Sequence, residues 1–308
     1  MGEIQSMNLN LKISEAIQKN NLVLFYLYAE QHISQPYLNF SQAFKDQLIN
    51  VSENGDKAHV QLINVENKAD QKVLILNGEQ LTGNKLKQNR IVAKTTILGS
   101  NQFATIEVRC GEQKRWSPVM NDELNVPDSM FFSRGDLASQ KNVWKKIGDK
   151  LDLHNIKSFT MSADEVYQKR NLEVNAMVDS FQLDPQAIGI ALGTTHELLS
   201  VDIFSDPEIF KAYFKKILRG FVTNNLKNIN KKTTLVQKDV YTFLRWIDEA
   251  DKYPIGNLKG NLGEKFSLKG MHVVGNVLYE EKQVVHCSAF VNSNLKEFPE
   301  SDKDYKVA

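Results

Sequence analysis

The stretch Leu74-Ile75-Leu76-Asn77-Gly78-Glu79-Gln80-Leu81-Thr82-Gly83-Asn84-Lys85-Leu86-Lys87-Gln88-Asn89-Arg90 passes from an apolar run into a long polar one. A second polar cluster follows, Cys110-Gly111-Glu112-Gln113-Lys114-Arg115-Trp116. Between them lie strand-like apolar residues and the turn Gly99-Ser100-Asn101. Successive side chains on a strand face opposite sides. A sheet can therefore gather polar groups that are distant in the sequence at one of its ends.

Working outward, Ile49-Asn50-Val51, His59 to Glu66, Lys72 to Leu76, Arg90 to Leu98 and Gln102 to Arg109 all read as short strands. Asn54-Gly55-Asp56 reads as a hairpin turn between the first two. Such a series argues an antiparallel sheet or sandwich. Upstream, Leu22 to Tyr28 reads as a buried strand and Ser41 to Leu48 as a short helix. Asn8 to Lys19 is expected to be an amphipathic helix, with Leu11, Ile13, Ala16 and Ile17 on one side.

Downstream, Ser117 to Arg134 is irregular, carries Pro118 and Pro127, and contains an exposed-looking Met130-Phe131-Phe132. Asp136 to Leu151 and Ser162 to Met177 read as helices, the second opening on the capping pattern Ser162-Ala163-Asp164-Glu165. Ala187 to Phe204 reads as a buried hairpin around Thr194-Thr195-His196-Glu197. Pro207 suits the first turn of a long helix. Lys238 to Ala250 is a further helix, and Glu264 to Leu268, His272 to Glu280 and Gln283 to Val291 are strands. The expected class is α+β: an antiparallel strand-rich N-terminal part, a helical middle with a buried hairpin, and strands returning at the C-terminus. Residues 20–292 form one expected domain, or two lobes (20–116 and 136–292) joined by the loop 117–135, with a polar tail at 293–308.

The chain has 308 residues and a formal net charge of +1. That balance gives no general electrostatic reason to bind nucleic acid or an anionic membrane. No apolar run reaches the ~20 residues that cross a bilayer. Met1 to Ser6 lacks the regions of a secretory signal, so a cytoplasmic location is expected. The two cysteines, Cys110 and Cys287, exclude a disulfide framework and a cysteine-rich zinc site.

The polar clusters supply the candidate site. Arg90 and Arg115 offer planar forks for phosphate or carboxylate, and Gln88 and Asn89 can orient a ligand. Glu79 and Glu112 are the acid/base candidates, and a divalent metal is compatible with them. The structural alternative is a loop held by Asn and Gln, with Arg90 at the surface or paired to Glu79 and Glu112 paired to Arg115. Trp116 serves as a stacking surface or as core. Cys110 is read as buried and inert; as a reactive thiol it would need Arg109 or Arg115 beside it. Asp202 lies in an apolar strand and needs partners, for which Arg90 and Arg115 are candidates, unless it has an edge or capping role. His286 faces either the core or a cleft.

These residues carry a resemblance. Gly78-Glu79-Gln80, Gly83, Gln88-Asn89-Arg90, then Cys110, Glu112, Arg115 and Trp116, then Val201-Asp202-Ile203-Phe204 and Val284-Val285-His286-Cys287-Ser288-Ala289-Phe290 resemble the ARG and rhodanese-phosphatase-superfamily-associated protein domain. In this chain Asn84-Lys85-Leu86-Lys87 separates the glycine from Gln-Asn-Arg. The resemblance covers roughly residues 20–292 and implies a link to ADP-ribose or nicotinamide dinucleotide metabolism. The expected partner is thus a nucleotide-type small molecule. The chain would bind it or, as an enzyme, hydrolyse it with paired carboxylates. The alternative is a non-catalytic ligand sensor or a self-assembling protein, a homo-oligomer contacting through loop 117–135.

Overall fold

The computed structural model describes residues 10–30, 37–54, 61–83, 86–115, 123–227, 229 and 231–292. Trp116, Pro118, Asn84-Lys85, Gly55-Asp56, His59 and the tail 293–308 lie outside the described residues.

The strand Leu22–Ala29 is apolar at nearly every position. Its alternation explains the layering. Leu22, Leu24 and Tyr26 join one buried cluster, whereas Val23, Phe25 and Leu27 join another. Both faces are therefore covered, and a sheet covered on both faces reads as a continuous apolar run. This strand sits inside a nine-stranded sheet. Its antiparallel neighbours are Leu11–Ile13 on one side and Gly189–Thr194 on the other. The sheet continues through Leu198–Phe204, Gln283–Val291, Val273–Glu280, Glu264–Lys269 and Asp251–Ile255.

Five α-helices occur among the described residues: α1 (Phe40–Lys45), α2 (Gln140–Leu153), α3 (Ala163–Asp179), α4 (Pro207–Asn225) and α5 (Gln237–Glu249). Helices α3 and α4 cover the first sheet face through Val174, Val178, Phe210, Phe214 and Ile217. Helix α5 covers the second with Val240, Phe243 and Ile247. The caps follow the sequence. Ser162 accepts a bond from the Asp164 N–H, and Asp206 accepts one from Ile209 N–H ahead of Pro207. The Glu281-Lys282 turn has both residues at positive φ, as a type I′ hairpin loop requires.

Two smaller sheets stand beside the large one. One orders Ile49–Glu53, Leu62–Asn67, Gln102–Cys110, Arg90–Val92 and Gln80–Leu81. The other orders Asn261–Leu262, Thr96–Leu98, Val73–Ile75 and Leu38–Asn39. The chain is thus α+β, with antiparallel strands early and late and helices between. No helix among the described residues is long and apolar enough to cross a membrane.

Three expectations need correction. Asn10 to Lys19 is not helical: Leu11–Ile13 and Ile17–Lys19 both pair with Leu22–Ala29. The Leu11/Ile13 alternation, joined to a strand that demands neighbours, outweighs a short helical pattern. Arg90 to Leu98 is not one strand. It breaks at Ala93-Lys94-Thr95, and its halves join different sheets. Met130, Phe131 and Phe132 are buried, at 0%, 0% and 4% exposure, and not on the surface. Met130 N–H donates to Lys216 O and Phe131 N–H to Gly78 O, which anchors this segment beneath α4 and the polar turn.

The double coverage of the large sheet sets its sensitivity. Phe25→Ala is expected to cost about 3–5 kcal/mol in urea unfolding. Phe103→Ala, at a residue that is 65% exposed, should stay within about 0.5 kcal/mol.

Candidate functional site

The polar turn Asn77-Gly78-Glu79-Gln80 is a junction. Gly78 has φ +89, and a Cβ there would meet Arg134 Cγ at 2.5 Å. Glycine is therefore required both by the backbone and by the side chain that lies across it. Glu79 is fully buried and binds Lys216 of α4 at 2.5 Å, while its other oxygen accepts from Leu76 N–H. Gln80 donates to the Ser129 carbonyl. Each residue of the turn thus grips a different neighbour.

Arg134 reaches across Gly78 into a buried network. Its Nε donates to Asn77 O, and Nη2 to Asn77 Oδ1. Nη1 and Nη2 bind the two oxygens of Asp202, each at 2.8 Å. His286 Nε2 lies 3.1 Å from Asp202 Oδ1, and its Nδ1 lies 3.0 Å from Thr95 Oγ1. Burial pushes the His286 ring below its ordinary value of 6.5 and outweighs the pull of Asp202. The ring is therefore neutral, with its proton on Nε2 facing the carboxylate. Thr95 has one hydroxyl proton, and the contact to His286 Nδ1 takes it in preference to the 3.5 Å contact to Asn77 Oδ1. Burial works to raise the Asp202 carboxyl. Arg134 and His286 more than offset it and hold the group at about 2. The network joins the polar turn, the segment before α2, and two strands of the large sheet.

Of the five N–H groups of a guanidinium, Arg134 commits four. The fifth, on Nη1, has no partner among the described residues, and Arg134 lines a cleft of about 630 Å³. Phe132, Leu192, Ile217, Phe221 and Phe290 give the cleft apolar walls. The Arg134 guanidinium lies 5.3 Å from the centroid of the Phe290 ring. Lys146, Lys150 and Lys227 line the same cleft, together with Asp136, Asp149 and Glu197.

The residues singled out from the sequence fall elsewhere, in three knots. Arg90 pairs with Glu53 at 3.0 Å, not with Glu79, and donates to Cys110 Sγ. Arg90 is buried, not at the surface. Burial raises the Cys110 thiol despite Arg90; the cation beside it is Arg90, in place of Arg109 or Arg115. Glu112 holds Arg115 at 2.5 Å and accepts from Asn89 N–H, and Arg115 also spans to Gly83 O and Leu86 O. Gln88 is buried, and neither its Oε1 nor its Nε2 has a hydrogen bond among the described residues. Glu79 with Lys216 is the third knot. Asp202 takes Arg134 and His286 as partners, in place of Arg90 or Arg115. None of Glu79, Gln88, Asn89, Arg90, Cys110, Glu112, Arg115, Asp202 or His286 lines the cleft. Among the described residues no group of three or more His, Cys, Asp or Glu is placed to hold a metal ion.

Sequence reasoning assigned no site role to Arg134, Asn77, Thr95, Lys216 or the lining lysines. One signal was available. A carboxylate inside an apolar strand demands a buried cation, and Arg134, followed by Gly135, is one of the chain's arginines that could meet it.

Gly78→Ala is expected to lower stability by about 1–3 kcal/mol from backbone strain alone, and further from the clash with Arg134. Gly256→Ala, where a Cβ meets nothing within 4 Å, should leave the urea midpoint unchanged. The network also sets an acid limit. With the folded His286 below 6.5, the unfolded chain takes up the proton first, so stability falls as pH drops through that value. The folded Asp202 is held at about 2, below its ordinary 3.8. Its contribution is complete above 3.8 and is lost as pH falls toward 2. Urea midpoints measured from about pH 7.5 down to about pH 3 should show both declines, and His286→Gln should shrink the upper one.

No curated protein and no solved structure matches the sequence. One family profile does, over residues 10–290, nearly the whole chain. The turn at Gly78-Glu79-Gln80, the knot at Glu112-Arg115 and the Asp202–His286 pair all fall inside that span, and the chain belongs to the ARG and Rhodanese-Phosphatase-superfamily-associated Protein domain family.

Proposed function

We propose that this chain is a ligand-binding protein whose cleft takes a small, ring-bearing anionic metabolite, with ADP-ribose and nicotinamide-dinucleotide compounds as the first candidates. The observation that supports this reading is Arg134. Its guanidinium is fixed by four bonds, its fifth N–H has no partner among the described residues, and the residue lines a cleft of about 630 Å³. Pockets of about 300–1,000 Å³ with apolar walls and a few fixed polar groups suit metabolites of this size. Phe132 and Phe290 offer flat apolar surface to a base. The choice of ADP-ribose-type compounds rests on what the family resemblance implies.

Binding or sensing suits the geometry better than hydrolysis by paired carboxylates. Glu79 and Glu112 each hold a cation, Lys216 and Arg115, and neither lines the cleft. Self-assembly through loop 117–135 loses its motive, because Met130, Phe131 and Phe132 are buried.

Calorimetric titration with ADP-ribose, NAD and AMP tests the reading. Binding is expected for at least one of them, and Thr194→Trp, which puts an indole into the cleft wall, should abolish it. If Thr194→Trp binds normally while Glu112→Gln loses binding, the ligand sits at the Glu112–Arg115 knot and the cleft reading fails.

A further inference from the structure

We infer that the end of the cleft where α2 meets the C-terminus of α4 is a subsite for a phosphate-class anion, built by Lys146, Lys150 and Lys227. This rests on the reading of the cleft as a ligand site and adds the chemical group that the ligand must carry.

The three lysines line one cavity. Lys146 and Lys150 stand one turn apart on α2 and so share a face. Lys227 follows the end of α4. Arg170 of α3 stands behind them. Lys150 registers the crowding: burial, then Arg170, Lys227 and Lys146, push its amine down to about 8. Like charges held together at a concave surface repel one another, and an anion placed among them relieves that repulsion. Lysine ammonium groups, as compact point charges, suit phosphate.

Helix capping accounts for only part of this cluster. Carbonyls at the C-terminus of a helix attract cations, and those of α4 are already met. Arg170 donates to Thr223 O and Leu226 O, Asn21 to Asn225 O, and Lys150 to Asn224 O. That uses one of the three N–H groups of Lys150, and Lys227 contributes nothing to the capping. The carboxylates facing the cluster are Asp136, Asp149 and Glu197. Asp136 accepts from Ser133 Oγ at 2.6 Å and stands 3.7 Å from Lys146. Asp149 pairs with Lys145. Lys150 and Lys227 have no salt bridge to any described carboxylate.

The sign of the pH effect follows. A bound anion favours protonated Lys150, so the complex takes up protons near pH 8. Affinity is full below that value and falls as pH rises through it.

The test is calorimetry on the full chain with adenosine, ADP and pyrophosphate, using wild type, the double variant Lys146→Met/Lys227→Met, and Lys150→Arg. The double variant leaves the Lys150 cap of α4 in place. ADP should bind at least ten-fold tighter than adenosine, and the double variant should lose that difference. Lys150→Arg should retain binding and lose the fall in affinity above pH 8. Pyrophosphate binding that disappears in the double variant supports the subsite even where no nucleoside binds; the nucleotide reading of the cleft then falls alone. If adenosine and ADP bind equally and pyrophosphate does not bind, the subsite is overturned while the cleft reading stands. If none of the three binds, the subsite is overturned, and the cleft reading is decided by the ADP-ribose, NAD and AMP titrations.

Discussion

A charged pair sealed inside the protein, Arg134 with Asp202, constrains everything around it. Removing an ion pair from water costs several kcal/mol per ion, and the attraction repays it only when geometry is good and the remaining donors are satisfied. Here the satisfaction is extensive. Both carboxylate oxygens hold the guanidinium, His286 adds a third bond, and Asn77 takes two more N–H groups from the arginine. Removing either partner would leave a buried charge uncompensated, at a cost of about 3–5 kcal/mol. Any other packing of the polar turn against the large sheet would leave a buried charge alone. The glycine at 78 follows from the same requirement, since any larger residue would occupy the path of the arginine.

Much of the architecture was legible because it depends on local pattern. The unbroken apolar run from Leu22 declares a strand covered on both faces. Ser162 and Asp206-Pro207 declare helix starts, and the series of short alternating segments declares an antiparallel sheet. The errors arose where pairing across long distances decides the outcome. Leu11 and Ile13 fit a helical stripe as well as a strand until the neighbouring strand is known. Phe131 and Phe132 lie in a proline-marked loop and look exposed, yet their ring centroids are 4.6 Å apart inside a cluster with α2 and α3. A loop buries aromatic residues when its backbone groups find partners, as those of Met130 and Phe131 do in Lys216 and Gly78.

The candidate site was legible only as a set of unusual residues, and its geometry was not. Glu79, Arg90, Glu112 and Arg115 stand out in the sequence as polar groups that need partners. Each finds an opposite charge close by, Glu79 in Lys216, Arg90 in Glu53, and Glu112 and Arg115 in one another. A sequence pattern of this kind marks residues whose replacement is costly, and buried ion pairs are costly for structural reasons as well as chemical ones. Asp202 was the more informative residue. Its need for a cation was clear, but the identity of the cation depended on a chain reversal that brings position 134 beside position 202.

The same arginine belongs to the interior network and to the cleft, and the two roles divide the electrostatics. Asp202 sits 2.8 Å from the guanidinium and cancels most of its charge at any distance beyond a few ångströms. An incoming anion would therefore meet Arg134 as a directed N–H donor with little long-range pull. The lysines differ. Lys150 and Lys227 carry no salt bridge to a described carboxylate, and Lys146 is held only loosely, at 3.7 Å. Their field reaches a Debye length of about 8 Å at physiological salt, roughly the scale of the cleft. In the proposed complex, attraction would come from the α2–α4 corner and orientation from Arg134, and because the network fixes Arg134 in advance, little ordering would oppose binding.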